Sequence, residues 1–177
     1  MAGLEKLREL LLYLAFQGES DPHCGTLKLD KLLFAIDFSA YLAWRAPITE
    51  AEYIALEWGP VPRQFPFLLA EMIQRHDATM RWPSLFDVMN PQERLMALRK
   101  PHLEIFTGPE IALIDAVIES AMPYNGRALT EWSYRFNGWK AAKKGEAIPY
   151  ESALISSEPP TSYEIQRTQE LIQEHGW

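Results

Sequence analysis

Leu27-Lys28-Leu29-Asp30-Lys31-Leu32-Leu33-Phe34-Ala35-Ile36-Asp37-Phe38-Ser39-Ala40-Tyr41-Leu42-Ala43-Trp44-Arg45 is the stretch that decides how this chain folds. Wound as a helix, it carries two apolar sectors. Leu29, Leu32, Leu33, Ile36, Ala40 and Trp44 make the first, and Phe34, Phe38, Tyr41 and Leu42 the second. Asp30 and Asp37 separate them on one side, Lys28 and Ser39 on the other. A surface helix needs one apolar stripe, so two sectors predict a helix covered on both flanks at the centre of a small bundle. Lys31 falls inside the second sector, where an amine is costly unless it snorkels or meets an acid. Asp30 and Asp37 share a face about 10 Å apart at 1.5 Å per residue, too far to share a proton. They read as a solvated or ion-paired seam between the buried flanks, not as a reaction site.

On the amino-terminal side, Leu4, Leu7, Leu11 and Leu14 predict a helix over residues 4–17, with Glu5, Lys6, Arg8 and Glu9 facing away. Its apolar run from Leu10 to Phe16 is short and has no basic leader, so it reads as an amphipathic helix and not as a secretory signal. Gly18 ends it, and residues 19–25 form a loop. Asp21, His23 and Cys24 lie together there. Structural zinc wants four ligands, and no second cluster accompanies these three, so they read as a polar loop with a partly buried thiol.

On the other side, Thr49-Glu50-Ala51-Glu52 has the capping-box pattern and predicts a short helical turn. Residues 53–58 read as extended, and Gly59-Pro60-Val61-Pro62 must be non-helical. A helix follows over residues 63–76 with Pro66 in its first turn. Residues 84–89 and 94–99, joined through Asn90-Pro91, suggest a β-hairpin. Thr107-Gly108-Pro109-Glu110 opens a helix that buries Ile111, Ile114, Val117, Ile118 and Ala121 and stops at Pro123. Another helix is expected over residues 128–136, then a short turn with Trp139, then extended Ile148-Pro149-Tyr150. Pro159-Pro160 breaks the chain before Thr161-Ser162-Tyr163-Glu164, a second capping box, and a polar last helix with Ile165, Leu171 and Ile172. The expected architecture is mainly α: a compact helical bundle with a small β-hairpin or short extended segments. The expected division is a helical domain over residues 1–157 and a C-terminal polar helix or arm over 158–177.

Composition narrows the function. Of 177 residues, 47% are hydrophobic and 23% charged, which is ordinary globular usage. The formal charge of -7 disfavours general nucleic-acid binding. Cys24 stands alone, so no internal disulfide forms, and a cytoplasmic location is expected. No apolar run approaches the roughly 20 residues that cross a bilayer, so no membrane is expected. The histidines at 23, 76, 102 and 175 are scattered, and no phosphate loop or nucleophile elbow is found. The expectation is therefore no enzyme, no cofactor and no metal. Arg127, Arg135, Lys140, Lys143 and Lys144 interleave with Trp132, Tyr134, Phe136 and Trp139. That mixture suits core packing beside a solvated helix end, a protein-docking patch, or stacking on nucleic-acid bases.

The block Leu29-Asp30-Lys31-Leu32-Leu33-Phe34-Ala35-Ile36-Asp37-Phe38, then Ile48-Thr49 leading to Leu56-Glu57-Trp58-Gly59-Pro60-Val61-Pro62, resembles the amino-terminal half of the Panacea domain. This is the antitoxin-associated domain also seen in the SocA-type proteolytic adaptor. Leu129-Thr130-Glu131-Trp132-Ser133, Trp139-Lys140-Ala141-Ala142 and Gly145-Glu146-Ala147-Ile148-Pro149-Tyr150 resemble its closing block, and the likeness spans roughly residues 4 to 155. Tyr134 stands where the family commonly has a histidine. The resemblance implies an antitoxin-like protein that neutralises a cognate toxin by direct protein-protein binding. The alternatives are a proteolytic adaptor presenting the toxin to an AAA+ protease, or a nucleic-acid-binding transcriptional regulator. It marks Lys31, Trp58, Gly59, Pro60, Trp139 and Tyr150 as family-motif positions and candidate partner contacts.

Overall fold

Helix α2 (Thr26–Trp44) runs through the middle of the molecule, as its two apolar sectors require. The computed structural model describes residues 2–82, 92–155 and 162–175. Against α2 pack helices α1 (Ala2–Gln17), α4 (Gly108–Ala121) and α5 (Gly126–Ser133), strand β2 (Gly59–Pro62) and a 3-10 turn at Tyr150–Leu154. Leu32, in the first sector, borders Leu14 of α1 and Ile118 of α4. The second sector is aromatic: Phe34 and Phe38 meet each other at 4.5 Å between ring centroids, Phe136 at 5.1 and 5.0 Å, and Tyr53 at 5.8 and 5.4 Å. Such tilted and edge-on pairs add to plain area burial. The helix outruns the core at its end, leaving Leu42 and Trp44 about half exposed.

The remaining elements are strand β1 (Tyr53–Leu56), helix α3 (Phe65–Gln74), strands β3 (Ala78–Arg81) and β4 (Arg94–Ala97), helix α6 (Asn137–Ala141), strand β5 (Ala147–Ile148) and helix α7 (Ser162–His175). The molecule is mainly α, with short antiparallel strands in small sheets. In the three-stranded sheet β1 is central, pairing with β2 from Tyr53↔Pro62 to Leu56↔Gly59 and with β5 at Tyr53↔Ile148. Pro66 opens α3 as expected. Thr107 caps α4 in the expected capping box, its hydroxyl accepting from the Glu110 amide while the Glu110 carboxylate accepts from the Thr107 amide. No helix of the described residues is long and apolar enough to cross a membrane.

Several local expectations give way to tertiary contacts. Helix α1 is enclosed on more than one stripe: Leu7, Leu10, Leu11, Leu12 and Leu14 are all buried, while Leu4 is exposed. Glu9, expected to face water, is buried against Arg99, because β4 packs on that side of the helix. Thr49 does not start a helical turn. Its hydroxyl is drawn to the buried Asp37 carboxylate, and Glu50 takes a left-handed φ of 56°. The hairpin keeps its second strand near residue 94, but the strand paired with it is Ala78–Arg81, with Arg81 opposite Arg94. The expected first strand, residues 84–89, and the Asn90-Pro91 turn lie outside the described residues, as do Pro159-Pro160 and Thr161.

Helix α5 starts two residues before the expected Ala128, because the Asn125 side chain caps it by accepting from the Ala128 amide at 2.9 Å. It ends at Ser133, and Trp139 belongs to the separate α6. Gly126 lets α5 approach α2 closely, since a Cβ there would meet the Lys28 amide nitrogen at 3.0 Å. Tyr150, expected in an extended run, opens the 3-10 turn instead.

Candidate partner-binding site

Pro60 and Pro62 leave β2 without their donors, so the β1–β2 hairpin depends on side chains from elsewhere for its hold. The Lys31 amine, fully enclosed, donates to the Pro60 carbonyl at 2.9 Å, its single hydrogen bond among the described residues. Burial pushes the Lys31 amine down to about 8, with Asp30 pulling the other way. Asp30 is pushed up to about 7 by burial, against the influence of Lys31, and its Oδ1 is buried without a hydrogen-bond partner among the described residues. Lys28 makes a contrast, spending its three protons on Asp21 at 2.8 Å and on the Ala121 and Tyr124 carbonyls at 2.9 and 2.7 Å. The Ala121 carbonyl ends α4, where a cation is favoured, and the Tyr124 carbonyl lies just beyond it. Gly59 adopts a φ of 93°, and a Cβ there would collide with Ser133 Oγ, so glycine alone suits the position.

Three aromatic side chains fasten the hairpin from outside. Trp139 Nε1 donates to the Leu56 carbonyl at 3.0 Å, the Tyr134 hydroxyl to the Glu57 carbonyl at 2.9 Å and the Tyr150 hydroxyl to the Ala51 carbonyl at 2.6 Å. Tyr134 and Trp139 also lie against each other at 4.6 Å. Tyr134 therefore serves as a fastener at the position where the resemblance leads one to expect histidine. At the tip of the hairpin Trp58 is 62% exposed. Of the six motif positions, Lys31, Gly59, Pro60, Trp139 and Tyr150 are used in holding the hairpin, and Trp58 is displayed by it.

The basic and aromatic cluster divides in the same manner. Phe136 joins the aromatic core. Trp132 rests one side against Phe34 at 5.8 Å and keeps 47% of its surface exposed. Arg127 pairs with Glu131 one turn on at 3.3 Å, whereas the exposed Arg135 makes no side-chain bond among the described residues. In the loop before α2, Asp21 is taken up by Lys28 and by the His23 amide at 2.8 Å. The Cys24 thiol is buried and pushed up to about 11 by that burial and by Asp21, so it is neutral at ordinary pH.

Sequence reasoning missed Asp37 as a structural centre. It is fully buried and accepts from the Ile48 and Thr49 amides at 2.9 and 2.8 Å and from the Thr49 and Tyr53 hydroxyls. Burial raises its pKa, and the bonds from Thr49, Tyr53 and Ile48 pull the other way. The seam expected to be solvated or ion-paired is thus a buried Asp37 carboxylate that accepts four bonds, and an Asp30 whose Oδ1 has no hydrogen-bond partner among the described residues. Nothing local announces the difference, since the donors come from a segment beyond the end of the helix.

No curated protein and no solved structure matches the chain. The family model described as antitoxin SocA-like, Panacea domain, matches residues 29–140. That span takes in Lys31, Trp58, Gly59, Pro60 and Trp139, and Tyr150 lies beyond it. The chain belongs to the family of antitoxin SocA-like Panacea domains.

Proposed function

We propose that this protein is an antitoxin that neutralises a co-encoded toxin by binding it directly, with Trp58 as an anchor of the contact. The supporting observation is the display of Trp58 at the tip of a hairpin fastened by Lys31, Tyr134, Trp139 and Tyr150. Tryptophan is among the commonest interface anchors, and a tip ordered in advance loses little entropy on binding. Family membership supports the antitoxin-type role, and the net charge of -7 suits a basic toxin.

Co-expression with the product of the neighbouring reading frame tests the reading. The neighbour should arrest growth alone, and the wild-type chain should relieve the arrest and co-purify with it. Relief should persist in a host lacking its AAA+ proteases, which separates direct binding from delivery for degradation. Trp58→Ala should keep the melting temperature and weaken the complex about 10- to 100-fold, roughly 1.4–2.8 kcal/mol. A harmless neighbour, or the absence of any complex with the wild-type chain, would refute it.

A further inference from the structure

Beside the hairpin, two hollows on the outer side of α2 share Ala35, Trp132 and Arg135 and so form one continuous trough. The larger lobe, about 550 Å³, is walled by Val117 and Ala121 of α4 and Leu129 of α5. The smaller, about 240 Å³, reaches Leu42 of α2 and Ala153 of the 3-10 turn. Along the floor Leu32, Ala35, Ser39 and Leu42 recur at intervals of three and four, which gives a track about 15 Å long at 1.5 Å per residue. Small side chains at Ala35 and Ser39 leave room for another backbone to come close.

We infer that this trough receives an amphipathic helix of the toxin, apolar side down, with a carboxylate on that helix paired to Arg135. The inference rests on the proposed function and goes beyond it by naming the element recognised and its chemistry. Charge complementarity argues for the carboxylate. Arg135 stands at the junction of the lobes with no side-chain bond among the described residues, while the neighbouring acid, Glu131, is paired with Arg127. Length and lining argue for a helix: the floor and walls are helix faces carrying apolar side chains at helical spacing, the arrangement that accepts anchors at i, i+3 or i+4, and i+7. Trp132 and Arg135, both lining the trough, are residue types enriched where binding energy concentrates.

The test uses the full chain and the toxin encoded by the neighbouring reading frame. Arg135→Glu and Leu42→Asp change exposed side chains at the middle and at one end of the trough, so both variants should fold with unchanged melting temperature. Each should weaken the toxin complex at least tenfold, and replacing the carboxylate of one toxin helix by lysine should restore affinity to Arg135→Glu alone. If Trp58→Ala weakens the complex while both trough variants bind as the wild type does, the trough inference falls and the proposed function stands. If the wild-type chain forms no complex, both fall. Two further outcomes assign the trough elsewhere and overturn the inference. Faster amide exchange across residues 162–175 in free Arg135→Glu would assign it to the chain's own last helix. A dimer of the free protein broken by Leu42→Asp would assign it to a second copy.

Discussion

Asp37 and Asp30 sit two turns apart on one face of α2 and meet opposite fates, because the segment from Ile48 to Tyr53 brings four donors to the first and no described residue brings one to Oδ1 of the second. The Asp30–Lys31 neighbourhood is consequently where pH acts on stability. Asp30 titrates at about 7 in the folded chain against an ordinary 3.8. The folded state holds the proton longer, so the contribution of Asp30 is complete below pH 3.8 and is lost as pH rises through about 7. Lys31 titrates at about 8 against 10.5. The folded state releases that proton sooner, so the penalty for its charge is complete below about 8 and is relieved as pH climbs toward 10.5. Together the two groups make pH 7 to 8 their least stable range. Asp30→Asn removes the first titration. The melting temperature of the variant relative to the wild type should therefore rise between pH 4 and 7, and a constant difference across thermal scans would contradict the assignment.

At the scale of elements, the β1–β2 hairpin shows how a short ribbon without a complete ladder is kept in place. A two-stranded hairpin is marginal alone, and this one gains a third strand, β5, and the side-chain bonds from Trp139, Tyr134 and Tyr150. Trp139→Phe keeps an aromatic ring but removes the Nε1–H that bonds the Leu56 carbonyl, together with part of the packing on Tyr134. It should cost about 1 kcal/mol in urea unfolding, with the faster amide exchange concentrated at Tyr53–Leu56. An unchanged midpoint would show that the bond contributes nothing. The extended reading of residues 53–58 was legible from the Gly59-Pro60-Val61-Pro62 that follows, since two prolines and a glycine rule out a continuing helix. The fasteners were not legible, because Tyr134 and Trp139 lie 77 and 83 residues from the carbonyls they hold.

Across the whole molecule, Arg99 joins parts that no local pattern links. It grips Glu9 of α1 through both carboxylate oxygens, at 2.6 and 2.9 Å, and reaches Asp77 beside β3 at 2.6 Å. Burial alone would raise the pKa of Glu9, but the bonds from Arg99 and from the His102 amide outweigh it and hold it below the ordinary value. The stability gained there is present above pH 4.5 and is lost as pH falls through the lower folded value. Arg99→Ala strands a buried carboxylate. It should cost about 2–3 kcal/mol at neutral pH and move the midpoint of acid unfolding upward. A variant with the acid midpoint of the wild type would show that the cluster is incidental.

What could be read directly from the chain concerns features whose cause lies within a few residues. The two apolar sectors of α2 put it at the centre, the prolines stopped helices, and Thr107 with Glu110 set the start of α4. Residue order alone therefore determined the mainly α class and the family. Tertiary structure decided the fate of the polar residues. Thr49 carries a capping signature yet serves Asp37, Glu9 carries an outward-facing position yet serves Arg99, and Lys31 spends its amine on a carbonyl 29 residues away. The physical reason is that a charged or polar group cut off from water takes whichever partner the packed chain brings within reach, and that partner is set by how the elements meet.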